Sequence, residues 1–244
     1  MDIGGNYFIS HIPPLHRPVE LSMSSSRRKA PSSRTEVRRA RERALYDREV
    51  INEILDAGIL CHVGFVFDGR PVVIPTLYWR SGDRIFLHGS TASRMMRAIE
   101  GTDACIGVTH LDGLVLAHSA FHHSANYRSV CVFGRPQPVP ANEQESHLRD
   151  FMEGLFPGRW ETLRPVRARE LNATRLLTIP IDEASAKVRH GPLDEPAKDT
   201  TWPTWAGVLP LVTSFGVPLP DEHSERAGLS AIDGVARIAR GAPP

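Results

Sequence analysis

The strongest constraint on the fold lies between residues 59 and 88, where short β-rich segments alternate with tight turns. Residues 59–67 and 70–80 flank Asp68-Gly69, a pair typical of a two-residue hairpin turn. A third segment, residues 84–88, follows after one further turn. Strands joined at such short intervals predict an antiparallel meander, and several of them together favour a barrel.

The remaining elements extend this pattern on both sides. Pro75 has no N–H to donate, so its strand is predicted to be an edge strand or to carry a bulge. Further strands are predicted at residues 104–111, 114–118, 129–139, 174–181 and 184–189, with a turn at Asp112-Gly113. Helices are predicted at residues 34–58, 93–100, 142–155 and 166–173, with Thr35, Ser93 and Asn142 as N-caps. The sequence therefore predicts a mainly β fold with flanking helices (α+β).

Composition narrows the kinds of partner. The 244 residues carry a formal net charge of +1, which gives no overall field to attract nucleic acid or an acidic membrane. No apolar run reaches the roughly 20 residues that a membrane helix needs. The three cysteines lie singly in apolar segments, which is typical of reduced thiols. We therefore expect a cytoplasmic protein without nucleic-acid or membrane partners.

The two ends of the chain differ from its middle. Residues 1–33 are rich in Pro, Ser and basic side chains and are predicted to form a disordered tail. Residues 219–244 are polar and weakly patterned, and are predicted to form a second tail. One domain, residues 34–218, lies between them.

The first candidate binding motif is HGSTASRMMRA, residues 88–98, which runs from a strand into a helix. Helix N-termini expose backbone N–H groups that bind phosphate. Ser90, Thr91 and Ser93 would add hydroxyl donors, and Arg94 would add a charged bidentate donor. Ordinary capping of the helix by Ser or Thr is the alternative interpretation.

The second motif is a short polar interruption in the strand that contains Pro75. The Pro75-Thr76 pair interrupts an apolar strand, and its backbone groups would hydrogen-bond a flat heteroaromatic ring. The alternative is a plain edge strand with Tyr78 or Trp79 half-exposed.

The third motif is a histidine cluster after the strand at residues 114–118. His118 and His122 are four residues apart, the spacing of a helical metal-binding pair, but no carboxylate or cysteine completes a ligand set. A haem needs only one axial His, so haem binding stays open. Hydrogen-bonding groups at the rim of a barrel are the third interpretation of this cluster, which includes His123.

Two further groups have the composition of contact sites. Asn126, Tyr127 and Arg128 are adjacent polar side chains at the entrance to a strand, a pattern that suits a ligand or a subunit contact. Trp202 and Trp205 lie in a Pro-rich segment, where they would dock on the core, a partner subunit or a planar ligand.

Taken together, these motifs resemble the flavin-nucleotide-binding branch of the pyridoxamine 5′-phosphate oxidase-like split β-barrels, which includes nitroimidazole-resistance proteins. The resemblance covers about residues 36–211 and rests on the ordered segments CHVGFVFDGRPVVIPTLYWRSGDRIFLHGSTASRMMRAIEG, THLDGLVLAHSAFHHSANYRSVCVFG, PGRW, ELNATRLLTIPIDEASAKVR and WAGVLPL. It implies a six-stranded antiparallel split β-barrel and a homodimer with FMN at the subunit interface.

The resemblance also implies a role for each motif. The FMN phosphate would bind the loop after the third strand, the isoalloxazine ring would lie along the strand of Pro75, and the partner subunit would contribute the polar group before the sixth strand. The implied cofactor-binding residues are Pro75, Thr76, Leu77, Tyr78, His88, Ser90, Ser93, Arg94, His123, Asn126, Tyr127, Arg128 and Trp205.

The function implied is a flavin-dependent oxidoreductase that acts on a small planar or nitro-type substrate. One of His110, His118, His122 or His123 would donate a proton near the ring. Oxidation of pyridoxamine phosphate itself is not expected, because WAGVLPL stands where that enzyme carries a substrate clamp. The alternatives are a flavin store or sensor, a haem-binding split barrel, and a deazaflavin-binding one.

Overall fold

The computed structural model describes residues 28–231, so most of the two predicted tails lies outside the described residues. The strands are β1 Ala44–Leu45, β2 Leu60–Phe67, β3 Arg70–Ser81, β4 Arg84–Ser90, β5 Ala104–Leu116, β6 Ser124–Gly134, β7 Gln137–Pro138, β8 Thr174–Pro180, β9 Ala184–Arg189 and β10 Gly207–Pro210. The helices are α1 Arg48–Asp56, α2 Arg94–Ile99, α3 Gln144–Leu155, α4 Ala168–Ala173 and α5 Glu222–Arg226. None of the described helices is long and apolar enough to cross a membrane.

The strands form one antiparallel sheet in the order β1-β9-β6-β5-β2-β3-β4-β8-β7, with β10 paired to β5. This confirms a mainly antiparallel β fold with a few helices. The strand count differs from the expected six, because ten strands share hydrogen bonds and the path is open rather than closed. The short strands β1, β7 and β10 come from segments that have too few residues to show a period of two.

Alternation along the strands separates a buried face from an outward face. In β2, Cys61, Val63 and Phe65 are buried, and they pack against α1 in the main core. The outward residues Leu60, Val66, Val73 and Leu77 remain exposed. A second, smaller core lies under α3 and contains Trp79, Phe86, Val139, Phe151 and Leu176.

The strand β3 changes partners in its middle, and this creates an opening in the sheet. Residues 70–77 pair with β2, whereas residues 78–81 pair with β4. Pro75 therefore lies where β3 has only one neighbouring strand among the described residues, which confirms the expected edge position. If the β3–β4 register is continued, Pro75 lies opposite Ser90 across the opening.

Local capping signals were only partly right. Ser93 caps α2 by accepting a hydrogen bond from the Met96 N–H, and Asp68 and Gly69 both adopt the positive φ of a type I′ hairpin turn. The first helix, however, begins at Arg48 instead of near Thr35, which is buried and hydrogen-bonded to Ser32. Five arginines between residues 34 and 43 leave that stretch without an apolar face for a helix to bury.

Two other sequence expectations were wrong. Asp112-Gly113 is not a turn, because β5 runs through it with a bulge that keeps both halves paired to β6. The helix α3 begins at Gln144 after Glu143, so Asn142 is not its N-cap. A bulge and a turn have the same local composition, and only the length of the neighbouring strand distinguishes them.

Candidate functional site

The loop that follows β5 holds His118 in a fixed orientation. The His118 backbone N–H donates to Glu195 Oε2 at 3.0 Å, and its Nδ1–H donates to Glu195 Oε1. The Glu195 side chain is 2% exposed and the His118 side chain is 15% exposed. A buried carboxylate therefore sets both the ring orientation and the tautomer of this imidazole.

The electrostatics of this pair favour an ionised carboxylate. Burial would raise the pKa of Glu195, but the hydrogen bonds from His118 outweigh it and hold that pKa below its usual range. Among the described residues no hydrogen-bond partner reaches His118 Nε2. This nitrogen is the atom through which the site would bind a metal centre or move a proton.

The remainder of the loop presents aromatic and polar groups to solvent. Phe121 is 89% exposed, and its ring lies edge-on to His122 with 5.1 Å between centroids. His123 Nδ1 lies 2.9 Å from the Ser119 carbonyl oxygen. The described residues contain no group of three or more His, Cys, Asp or Glu side chains positioned to bind a metal ion.

Trp205 lies beside this loop. β10 pairs with β5 so that Gly207 is opposite Leu116, two residues before His118. A Cβ on Gly207 would lie 3.0 Å from the Trp205 ring, so a larger residue here would push the ring by a few tenths of an ångström. The Trp205 side chain remains 66% exposed and is available to a ligand or a partner.

In the polar group at residues 126–128, the side chains of Asn126 and Arg128 are hydrogen-bonded within the chain, whereas Tyr127 is half-buried. Arg128 is buried and makes a bidentate pair with Asp112, through Nε at 2.9 Å and Nη2 at 2.8 Å. Buried Asn126 accepts from Arg189 and donates to the Gly191 carbonyl at 3.1 Å. These contacts tie the bulge of β5 and the end of β9 to β6.

The strand segment 75–78 presents its side chains in two directions. Pro75 and Leu77 are exposed, Thr76 is half-buried and Tyr78 is 1% exposed. The Tyr78 hydroxyl donates to the Leu55 carbonyl, and burial is the main reason that its pKa is raised. Tyr78 is therefore part of the core, and a ligand at this edge would meet backbone groups and the side chains of its neighbours.

The loop at residues 88–94 also has an inner and an outer part. His88 points into the smaller core, with its ring 5.2 Å from Phe151 and 6.0 Å from Trp79. Its Nδ1 is buried without a hydrogen-bond partner, and burial lowers the pKa of this imidazole. Exposed Arg94 lies over the Phe67 ring at 5.2 Å, with no ion pair to a carboxylate in the described chain.

The hydroxyl groups of this loop serve local structure. Ser90 Oγ accepts from the Ala92 N–H at 3.1 Å, and Ser93 Oγ accepts from the Met96 N–H at 3.4 Å. Ordinary capping, the alternative interpretation, thus accounts for Ser93, whereas Ser90 stabilises the turn before the helix. Arg94 is the group in this loop whose charge remains available to an anion.

In the sheet, these predicted residues fall into two groups. His123, the polar group at residues 126–128 and Trp205 lie near the end of the sheet where β5 pairs with β6 and β10, whereas the β3 segment and the loop at residues 88–94 flank the opening between β3 and β4. Glu195, Asp112 and Arg189 were missed. Asp112 was interpreted as a turn residue, and Glu195 lies in a Pro-flanked linker with no local signal.

The chain matches a protein-family model and is similar to solved structures of known proteins. Residues 47–188 match the family model described as pyridoxamine 5′-phosphate oxidase. The flavocytochrome Anf3 from Azotobacter vinelandii is 42% identical, with a TM-score of 0.83, and the match covers 86% of this chain and 99% of that one. The FAD and haem binding protein from Mycobacterium smegmatis is 35% identical, with a TM-score of 0.77, over 80% of this chain and 97% of that one. No curated protein matches the chain.

Proposed function

The chain belongs to the pyridoxamine 5′-phosphate oxidase family, and from that premise we propose that it is a flavocytochrome that binds one flavin and one haem and exchanges electrons between them. The observation that carries this proposal is the 42% identity to a flavocytochrome across 86% of the chain. This likeness extends beyond residues 47–188, the part of the chain that the family model matches and that contains the His118 loop.

The His118 loop fits a haem ligand. A haem is held in a protein by an axial side chain, most simply one His, and such a His usually donates its other N–H to a carboxylate or a carbonyl. Glu195 occupies that position on His118, and Nε2 remains for the iron. Exposed Phe121 and Trp205 add apolar surface suited to a planar macrocycle.

The opening between β3 and β4 fits a flavin. The edge of β3 offers backbone groups to a ring, and Arg94 offers a charge to a phosphate. The family resemblance of the sequence implies FMN, whereas the similar protein from Mycobacterium smegmatis is described as binding FAD. We propose FAD for this chain and keep FMN as the alternative that direct identification tests.

Arg94 and the edge of β3 would hold the flavin and His118 would hold the haem, so that two-electron and one-electron chemistry would be available in one chain, with the protein supplying orientation and hydrogen bonds. We therefore propose an oxidoreductase in which NAD(P)H or a similar donor reduces the flavin. A small planar or nitro-type molecule remains the proposed acceptor. The expected cytoplasmic location is retained as part of this proposal.

We also propose a homodimer. Residues 200–220 contain no charged side chain. Eight of their large apolar side chains are at least half exposed, and these are Trp202, Trp205, Leu209, Leu211, Val212, Phe215, Val217 and Leu219. A second copy of the chain would remove this apolar surface from water. Light scattering should give the mass of two chains, and a monomer at micromolar concentration would contradict this part of the proposal.

Cofactor content tests the whole proposal. The purified protein, expressed with a supply of haem, should release one flavin per chain on denaturation, and its pyridine haemochrome should give one haem per chain. Mass spectrometry of the released flavin distinguishes FAD from FMN. If the protein contained flavin but no haem, it would be a flavoprotein and not a flavocytochrome. A protein that binds neither cofactor would contradict the whole proposal.

A further inference from the structure

After β10 the chain continues as an apolar arm, residues 211–219, which belongs to neither core. The Leu211 N–H donates to the Asp112 carbonyl at 3.0 Å, and the arm leaves the sheet at this point. Residues 212–220 form no hydrogen bond with another described residue. Val217 is 85% exposed and Leu219 is 91% exposed. An apolar segment that stays in water gains nothing to offset the entropy of ordering it, so the arm needs a surface to cover.

An apolar face of matching length lies open on the β2–β3 hairpin. Alternation along the two strands places four cross-strand pairs on the outward side, and these are Leu60–Leu77, His62–Pro75, Gly64–Val73 and Val66–Pro71. Of these residues only His62 is ionisable, and the two leucines and two valines are exposed. The 8 residues of β2 span about 27 Å, and the arm can reach at most about 30 Å. The arm is therefore long enough to lie along the whole face.

A second copy of the chain is the occupant that fits this face. Within one chain the arm and the face are both exposed, so neither covers the other. The arm contains no charged side chain, so it offers no ionic contact to a strongly charged partner. A molecule that presents both an apolar arm and an apolar face is complementary to its own copy. In a two-fold dimer each arm covers the face of the other chain, and the two contacts close the assembly.

We propose that the arm of each chain docks across the outward face of the partner's β2–β3 hairpin, so that the dimer forms by an exchange of arms. This inference rests on the homodimer and the flavin site proposed above. Pro75 and Leu77 lie on the covered face and also at the edge of β3 where the flavin would bind. The partner's arm would exclude water from that edge, so the flavin site is complete only in the dimer.

Charges placed on either side of the contact test the exchange in the full-length protein. Val217→Lys alters the arm and Val73→Glu alters the face, and both side chains are exposed, so neither substitution disturbs a core. Analytical ultracentrifugation should show the Kd of the dimer raised more than about 100-fold in each variant, because an unpaired charge would be buried. Leu229→Lys is the matched control, since Leu229 is exposed but lies outside the arm and the face. Its Kd should stay within about 2-fold of the wild type.

A mixture of the two variants shows whether the arms are exchanged. The Val73→Glu chain keeps an intact arm and the Val217→Lys chain keeps an intact face, so a mixed dimer has one unaltered contact and one in which Glu meets Lys. The mixture should therefore form dimers at concentrations where each variant alone is monomeric. Flavin should bind each monomeric variant at least about 10-fold more weakly than the wild type, and the mixture should regain affinity.

The possible failures are distinguishable. A wild-type dimer whose Kd is unchanged in both variants would overturn the arm contact alone, and the proposed homodimer would stand. A monomeric wild type would overturn both. Without recovery in the mixture, the exchange of arms would be wrong, and equal flavin affinity in monomer and dimer would show that the arm does not complete the flavin site.

Discussion

The loop that holds His118 and the small core that holds His88 bury the same kind of side chain in opposite ways. His118 has a buried carboxylate on one ring nitrogen and no described partner on the other. His88 lies among aromatic rings, its buried Nδ1 has no partner, and its pKa is lowered. The difference teaches that burial alone keeps an imidazole neutral, whereas burial beside a carboxylate orients it for chemistry.

The largest expected effect comes from removing the imidazole of His118. His118→Ala should abolish haem binding, because the iron loses its proposed axial ligand, while flavin content stays near one per chain. His123→Ala, in the same loop but exposed, is the matched control and should keep the haem. Haem content is measured by pyridine haemochrome. If His118→Ala still bound a full complement of haem, another histidine would be the ligand, and the proposed contrast between His118 and His88 would be wrong.

The next prediction concerns Arg94, which belongs to the same loop as His88 but has an exposed side chain. Arg94→Ala should weaken flavin binding by about 1.5–3 kcal/mol, or about 10- to 150-fold in Kd. Arg149→Ala is the control, since Arg149 also lies over an aromatic ring, Trp160, but on α3. Fluorescence titration of the flavin-free protein measures both. Equal affinities in the two variants would remove Arg94 from the phosphate site.

Glu195 tests whether the carboxylate is what distinguishes the two histidines. Glu195→Gln keeps the shape of the side chain but loses its charge, so haem affinity should fall about 10- to 100-fold, as for other carboxylate partners of ligating histidines. The reduction potential of the haem should rise, because a less anionic ligand stabilises the ferric state less. Unchanged affinity and potential would show that Glu195 only anchors the loop.

The smallest effect is expected at His88. Its lowered pKa means that below the unfolded-state pKa of about 6.5 the unfolded chain binds more protons. The free energy of unfolding therefore falls as the pH falls below this value. His88→Phe removes this loss, so urea denaturation should show a weaker decline from pH 8 to pH 5, with stabilities at pH 8 that agree within about 1 kcal/mol. If the free energy of unfolding depended on pH in the same way in both proteins, protonation of His88 would not be coupled to folding.

Much of the fold follows from local sequence. Asp68-Gly69 identifies the hairpin because few residue pairs adopt two positive φ angles, and Ser93 identifies the start of α2. Pro75 identifies an edge position because it removes a donor. Each of these signals acts within a few residues, where conformational preference and sequence are directly linked.

The site depends instead on contacts between distant parts of the chain. Glu195 and His118 are 77 residues apart, and no period or motif links a carboxylate in a linker to a loop after β5. Arg128 appeared available to a ligand because the Asp112 bulge was interpreted as a turn. The direction of His88 was equally hidden, because the helix α3 that covers it comes more than 50 residues later. Sequence can identify polar residues, whereas packing decides which of them remain available.

The most direct test of the central claim is whether electrons pass between flavin and haem in the purified protein. Under anaerobic conditions, photoreduction of the flavin should be followed by a shift of the Soret band from about 410 nm to the ferrous position as the flavin band near about 450 nm recovers. The rate should not depend on protein concentration, because both cofactors are bound to the same molecule. A haem that stays ferric while the flavin stays reduced would contradict the account.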